Sequence, residues 1–422
     1  MARSKELKKR VLITSNGLDF PRGLAPNSQG KEIGQALTAL GFEPLLIPQR
    51  LSVTPEGETQ GTYCGIPYDY LSGSRKFLGE RGNPILRKLA GVAYTIGASM
   101  RLSAYLLGHR RTVAALFDLS NQTLPLLIEG TVCRLLGIPM VYFMWEEVCA
   151  HRVNRQSNRA LRWMHRVIAL IEAPLLYGIV LRLPRRITYL TDASRSYLRK
   201  WGYRDSILCD FPVVKDRKSE PPITDQIRNG HNLVFTGTIN CEKDDFLTLI
   251  KAIAALRDSL PELRLHIYGS AEASAQEEIL SMAEAHGVGD SMVFMGWRPL
   301  EEVDRARREA LALLVLKKDS IFNRYNFPSR VLDFIDSGRP LLITDLPAHR
   351  KFFRNRHNAF VINEGDVEQL VDAIRTIAEK PELVASMTKE ASALLDDSFN
   401  ADKHLRTLLN SLRLIDSDKL LV

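Results

Sequence analysis

Three glycines close apolar runs and have chemistry-bearing neighbours. Phe235-Thr236-Gly237-Thr238 is followed by Lys243, Tyr268-Gly269-Ser270 ends a second run, and Phe294-Met295-Gly296-Trp297 ends a third. A glycine at a strand end lets backbone approach a ligand closely. Lys243, at the mouth of a helix, would add a cation for phosphate. Trp297 is either a ring for stacking on a base or a half-buried core residue. Further on, Tyr325-Asn326-Phe327-Pro328-Ser329-Arg330 leads to Asp333. Ser329 and Arg330 fall in a first helical turn, where free backbone N–H groups favour anions. Asp333 follows one turn later as an acceptor for sugar hydroxyls. The candidate chemistry is therefore binding of a phosphorylated, hydroxyl-rich ligand, with Lys243 and Arg330 opposing its charge.

These positions need elements to hold them. The chain starts with an apolar strand over 10–15, a glycine-containing loop over 17–30 that includes Gly23, a helix over 29–40 and a strand over 43–47. Ile33, Ala36, Leu37 and Leu40 give that helix its period. The unit recurs as strand 113–117, helix 124–136 and strand 140–144, after which Glu146 and Glu147 stand as acid/base candidates. The interval 51–110 has no clear pattern. A polar stretch, Lys215 to Pro222, reads as a linker. Beyond it, strands over 233–235, 264–268, 292–294, 312–316, 341–343 and 359–362 alternate with helices over 245–258, 274–286, 300–309, 328–337 and 367–379. Such alternation argues for parallel sheets covered by helices. The expectation is an α/β chain of two Rossmann-like, doubly wound domains, 1–217 and 218–400, facing a cleft. Residues 401–422 would form a helix and tail returning to the first domain.

Taken in order, the second-domain pieces resemble the GT-B glycosyltransferases, specifically the retaining family 4 (group 1) enzymes. Val293-Phe294-Met295-Gly296-Trp297 looks like that family's base-contacting strand. Tyr325-x-Phe327-Pro328-x4-Asp333 looks like the F-P-S-[KR] variant of its E-x7-E segment, and Ser337-Gly338-Arg339-Pro340 like the closing turn. Asn358-Ala359-Phe360-Val361 resembles the next strand. The resemblance spans roughly 230–395. Thr238 stands where the family has a phosphate arginine, Tyr325 where it has the sugar-holding glutamate, and Asp333 where it has the ribose-holding glutamate. The resemblance implies sugar transfer from a nucleoside-diphosphate sugar to a polysaccharide or lipid-linked glycan, with retention. It implies no cofactor and no metal, because Lys243 and Arg330 would offset the leaving diphosphate. Gly23, Gly237, Thr238, Gly269, Ser270, Gly296, Trp297, Tyr325, Asn326, Phe327, Ser329 and Asp333 become donor-site candidates. Two alternatives stay open: a non-catalytic relative that binds nucleotide or glycan, and a Rossmann-type oxidoreductase. For the latter, Gly17, Gly23 and Gly30 lack G-x-G-x-x-G spacing.

Charge refines the picture. The 422 residues carry 57 Lys and Arg against 49 Asp and Glu. Residues 1–217 hold 31 basic and 17 acidic side chains, a net of +14, and the remainder 26 and 32, a net of −6. Segment 151–200 holds 11 basic and 2 acidic residues around the apolar run Val167–Leu181. That combination points to an anionic membrane surface rather than nucleic acid, for which no recognition motif is present. Five cysteines without metal-ligand spacing fit a reducing cytoplasm. The lone D-x-D, Asp416-Ser417-Asp418, reads as a solvated tail, and the basic His349-Arg350-Lys351 follows a strand end.

Overall fold

The computed structural model describes residues 9–20, 25–50, 58–73, 84–120, 122–145, 170–215, 232–270 and 272–415. They form two compact units, Met1–Val214 with Ala401–Val422, and Lys215–Asn400.

In the first unit, eight strands run as β1 Arg10–Ser15, β2 Glu43–Pro48, β3 Gln60–Tyr63, β4 Ile66–Asp69, β5 Val113–Asp118, β6 Met140–Met144, β7 Arg186–Tyr189 and β8 Leu208–Asp210. Their order is β3-β4-β2-β1-β5-β6-β7-β8, parallel except for the β3–β4 hairpin. Side chains alternate along β1: Val11 and Ile13 enter one apolar cluster and Leu12 the other. Both faces are thus buried, as continuous apolar strands require.

The interval 51–110 contains that hairpin and a long helix, Pro84–Gly108. The hairpin turns through Cys64 and Gly65, both at positive φ (50° and 82°). A two-residue turn of that shape joins antiparallel strands, but strands of four residues leave too short an alternation to read from sequence. The first helix spans Ala25–Ala39 and starts earlier than its apolar period indicates. Pro26 costs nothing in a first turn. Gly30, expected in the loop, lies inside this helix, where a Cβ would come 3.2 Å from Leu46. The terminal helix Ala401–Ser411 packs on Ala25–Ala39, and its Ser411 receives Arg186 at 2.7 Å through the backbone carbonyl.

The second unit is a six-stranded parallel sheet: β9 Asn232–Thr236, β10 Arg264–Tyr268, β11 Met292–Gly296, β12 Ala312–Val315, β13 Leu341–Thr344 and β14 Phe360–Ile362. The order is β11-β10-β9-β12-β13-β14. The chain leaves β9 for β10 on one side and later returns to β12 on the other. The carboxyl end of β9 is therefore the switch point, where helix connections diverge and leave a crevice for ligands. Lys215, expected in a linker, is buried and belongs to this unit, its N–H donating to Phe399 O at 3.0 Å.

Candidate functional site

Gly237, Gly269 and Gly296 end β9, β10 and β11 side by side. Gly237 N–H donates to Tyr268 O at 2.8 Å, Gly269 N–H to Gly296 O at 2.9 Å, and Ile239 N–H to Ser270 O at 3.1 Å. All three glycines have positive φ (122°, 131° and 67°). Gly269 is the tightest: a Cβ there would lie 2.1 Å from Gly237 O. The glycines let three strand ends bend together and keep Gly237, Thr238 and Ser270 exposed at the switch point.

Beneath this edge lies a knot of charge. Arg330 NH1 donates to Thr236 O at 2.7 Å and its NH2 lies 3.4 Å from Asp244 Oδ1. Its guanidinium sits 4.5 Å from the Phe235 ring centre, and a Cβ on Gly237 would meet NH1 at 2.7 Å. Lys317 Nζ lies 2.6 Å from the same Asp244 oxygen. Burial pushes the Lys317 ammonium down to about 8. Arg330 adds to the push, Asp244 opposes it, and Lys243 contributes further positive potential. Burial likewise lowers Arg330, with Asp244 opposing. Lys243 is anchored through its backbone: its N–H donates to Asn240 Oδ1 at 3.0 Å, and its carbonyl accepts from Lys318 N–H at 2.9 Å and Asn323 Nδ2 at 3.0 Å. Two cations thus share one carboxylate. Such a partly dehydrated surplus favours an anion with more than one charge.

Arg330 is at the predicted place, but its terminal nitrogens already hold the Gly237 turn. Ser329 is the N-cap of helix Arg330–Asp336, and its side chain caps nothing. Asp333 is not a solitary acceptor: Oδ1 pairs with Lys215 at 3.0 Å and Oδ2 faces Arg307 at 3.6 Å. Phe327 was expected at the donor and is instead core. It is buried among Phe352, Phe353, Phe399 and His349. Tyr325 and Asn326 sit half-buried at the end of helix Ile321–Tyr325. Trp297 is 77% exposed, which removes the core reading of it.

The basic run after β13 is not a free basic site either. His349 is buried with Nδ1 against Thr344 O at 2.7 Å, and burial pushes its pKa down to about 4, so it is neutral near pH 7. Arg350 is paired with Asp345 at 2.7 Å, and Lys351 Nζ lies 5.3 Å from the Phe352 ring centre. Glu146, Glu147, Gly23, residues 151–169 of the basic segment and the D-x-D lie outside the described residues.

Sequence reading missed Asp244, Lys317, Lys215 and Arg307. Lys317-Lys318 lies one residue past the end of β12, close to the strand-end rule that located Gly237. Among the described residues, no three His, Cys, Asp or Glu side chains gather as metal ligands.

The same stretch carries the likeness to known proteins. Residues 230–380 match the family described as glycosyl transferases group 1. The putative glycosyltransferase EpsD of Bacillus subtilis (strain 168) is 26% identical over 159 residues, 37% of this chain and 39% of that protein. The alignment thus spans less than half of either protein. Among solved structures, HepE of Anabaena, in complex with UDP and glucose, superimposes with a TM-score of 0.67 at 12% identity. That match covers 96% of this chain and all of the other. Sucrose-phosphate synthase of Thermosynechococcus elongatus gives a TM-score of 0.69 at 14% identity, covering 96% and 98%. The fold is GT-B.

Proposed function

We propose that the protein is a glycosyltransferase. It moves a sugar from a nucleoside-diphosphate sugar to a glycan or lipid-linked acceptor of polysaccharide assembly, working at the cytoplasmic side of a membrane. The observation that carries this reading is the pairing of two buried cations, Lys317 and Arg330, with the single carboxylate of Asp244 directly behind the exposed Gly237 turn. A diphosphate at that turn meets backbone and cations together. The position is the sheet's switch point, within the segment that matches the family.

In this reading Lys243 and Arg330 offset charge on the departing diphosphate without a metal. Trp297 stacks on the base. Asp333 accepts from the ribose, since a carboxylate has about four lone-pair sites and its two cations leave some vacant. Retention of configuration belongs to the same proposal. The occurrence of UDP in the related HepE complex supports a uridine nucleotide as the first to try.

Tyr325 and Thr238, standing where the resembled family has charged side chains, motivate a second reading as a binding-only relative. One panel separates the readings: thermal shifts with UDP, GDP, ADP, their sugars and NAD(P), followed by turnover on membrane-extract acceptors. Stabilisation by a nucleoside diphosphate together with turnover is expected. Nucleotide binding without turnover on any acceptor favours the binding-only reading. Stabilisation by NAD(P) alone overturns both.

A further inference from the structure

The outermost strand of the second sheet borders a cleft that the proposed transfer does not use. Its volume is about 360 Å³, within the range of small-molecule sites. Residues from 345–355, from β14 with Asn363, and from helix Val367–Glu379 line it. β14 is three strands from β9, about 14 Å at ordinary strand spacing, so the cleft is separate from the Gly237 turn. β14 is also an edge strand. Ile362 O accepts from Asp345 N–H at 2.8 Å, so its backbone faces β13, and the alternation turns Val361 and Asn363 outward. There Val361 N–H donates to Asn355 Oδ1 at 3.1 Å, and Asn363 N–H to Gln369 Oε1 at 3.0 Å. Two side-chain amides thus take the donors that an added peptide strand would need.

Capping fixes the rest of each amide. Only the amide oxygen can accept an N–H, so the oxygen sets the orientation of the whole group. Asn355 Nδ2 and Gln369 Nε2 are left as donors at set positions, and neither meets a partner among the described residues. The Asn363 side chain is exposed and likewise meets none. Another part of the lining is an ion pair. Arg350 Nε donates to Asp345 Oδ1 at 2.7 Å and its NH2 to Oδ2 at 3.0 Å, a flat two-bond fork. The charges cancel, while NH1 stays a donor and the carboxylate keeps lone pairs for hydroxyls. Phe353, otherwise buried, adds an apolar patch. The cleft therefore offers donors, acceptors and an apolar patch without net charge. A sugar unit matches that set, since each hydroxyl both donates and accepts and the ring carries C–H faces. A phosphate would need an uncommitted cation, and Arg350 is committed to Asp345.

We propose that this cleft is a second carbohydrate site, which holds neutral sugar units of a glycan. Its contacts are the amide donors of Asn355, Asn363 and Gln369 and the Asp345–Arg350 fork, with Phe353 against a ring face. A peptide strand is a poorer occupant, because the edge donors are already capped. The site gives the protein a hold on glycan that is independent of the nucleotide. The inference goes beyond the donor reading and uses none of its residues.

Saturation-transfer NMR of the full chain with maltose, lactose and diacetylchitobiose tests it, with glucose 6-phosphate and glucosamine as charged counterparts. At least one neutral disaccharide should bind, with a Kd on the order of 1 mM. Saturating UDP should leave its signal unchanged. Asn363→Ala and Arg350→Ala should each weaken that binding about two- to tenfold, the worth of one hydrogen bond. Neither should move the melting temperature by more than about 2 °C, because both side chains are exposed. Should one variant lose its cooperative melt, the other decides. No binding by any of the three disaccharides, equal or tighter binding of the charged sugars, displacement by UDP, or full affinity in both variants overturns the proposal.

Discussion

Lys317 Nζ lies 2.6 Å from Asp244 Oδ1, with both side chains nearly closed to solvent. Arg330 approaches the same oxygen at 3.4 Å. One buried carboxylate therefore holds two cations, with Lys243 near enough to add to their repulsion. Removing the carboxylate leaves buried charges uncompensated. Asp244→Ala should destabilise the second unit by about 3–5 kcal/mol, measured by denaturant unfolding. A loss below about 1 kcal/mol would mean the cations relax into water.

Diphosphate affinity should depend on pH through Lys317. Its ammonium titrates at about 8 in the ligand-free protein. A bound anion stabilises the charged form and raises that value. Below pH 8 both states hold the proton, so affinity is flat. Above pH 8 the free protein loses a proton that the complex keeps, so affinity falls, by up to about tenfold per pH unit. Titration calorimetry with UDP between pH 7 and 9 checks the slope. Lys317→Met should remove it, and a slope that survives this change would exclude Lys317 as its source.

Two of the strand-end glycines should respond differently to alanine. At Gly269 the added carbon meets backbone, Gly237 O, at 2.1 Å. At Gly237 it meets the end of the Arg330 side chain at 2.7 Å, which can move. Both positions have positive φ, so each substitution is strained by about 1–2 kcal/mol. Gly269→Ala should lose several kcal/mol more than Gly237→Ala, while Gly237→Ala should chiefly weaken nucleotide binding. Paired melts with and without UDP measure both effects.

Trp297 and Phe327 were read from sequence as neighbours of one ligand, but their burial separates their roles. Trp297→Ala should leave the melting temperature unchanged and cost about 1–3 kcal/mol of nucleotide affinity, the worth of a ring stacked on a base. Phe327→Ala should cost about 3–5 kcal/mol of stability through the cavity it opens. A destabilised Trp297→Ala with unchanged affinity would reverse the assignment.

In the first unit, Asp118 and Glu129 are both fully buried. Glu129 Oε1 accepts from Gln49 Nε2 at 2.7 Å and Ser99 Oγ at 2.8 Å, and its Oε2 has no partner. Burial drives both carboxyls upward, Asp118 to about 7, and for Glu129 the neighbouring Asp118 adds to the push. Between about pH 4 and 7 the folded unit keeps protons that the unfolded chain has released. Its stability therefore falls as pH rises through that window. Glu129→Gln keeps an oxygen for Gln49 and Ser99 and removes the charge. It should raise the melting temperature at pH 8 by about 2–4 °C for each kcal/mol recovered, and clearly less at pH 5. Equal shifts at both pH values would exclude the buried charge as the cause.

Much of the fold follows from local sequence. Long apolar runs such as Val113–Asp118 are strands buried on both faces, and glycines such as Gly137 and Gly338 mark where helices stop, because they alone take positive φ without strain. The strand-end position of Gly237, Gly269 and Gly296 is legible for the same reason. What tertiary structure alone decides is which side chains meet. Lys215 and Asp333 are 118 positions apart, and pairing them turns a supposed linker residue into part of the second unit. Phe327 and Trp297 are both aromatic residues beside glycine- or proline-containing turns, and only packing sends one inward and the other to solvent. Periodicity and turn chemistry act over a few residues, whereas ion pairs, ring packing and surface patches depend on distances that only the folded chain sets.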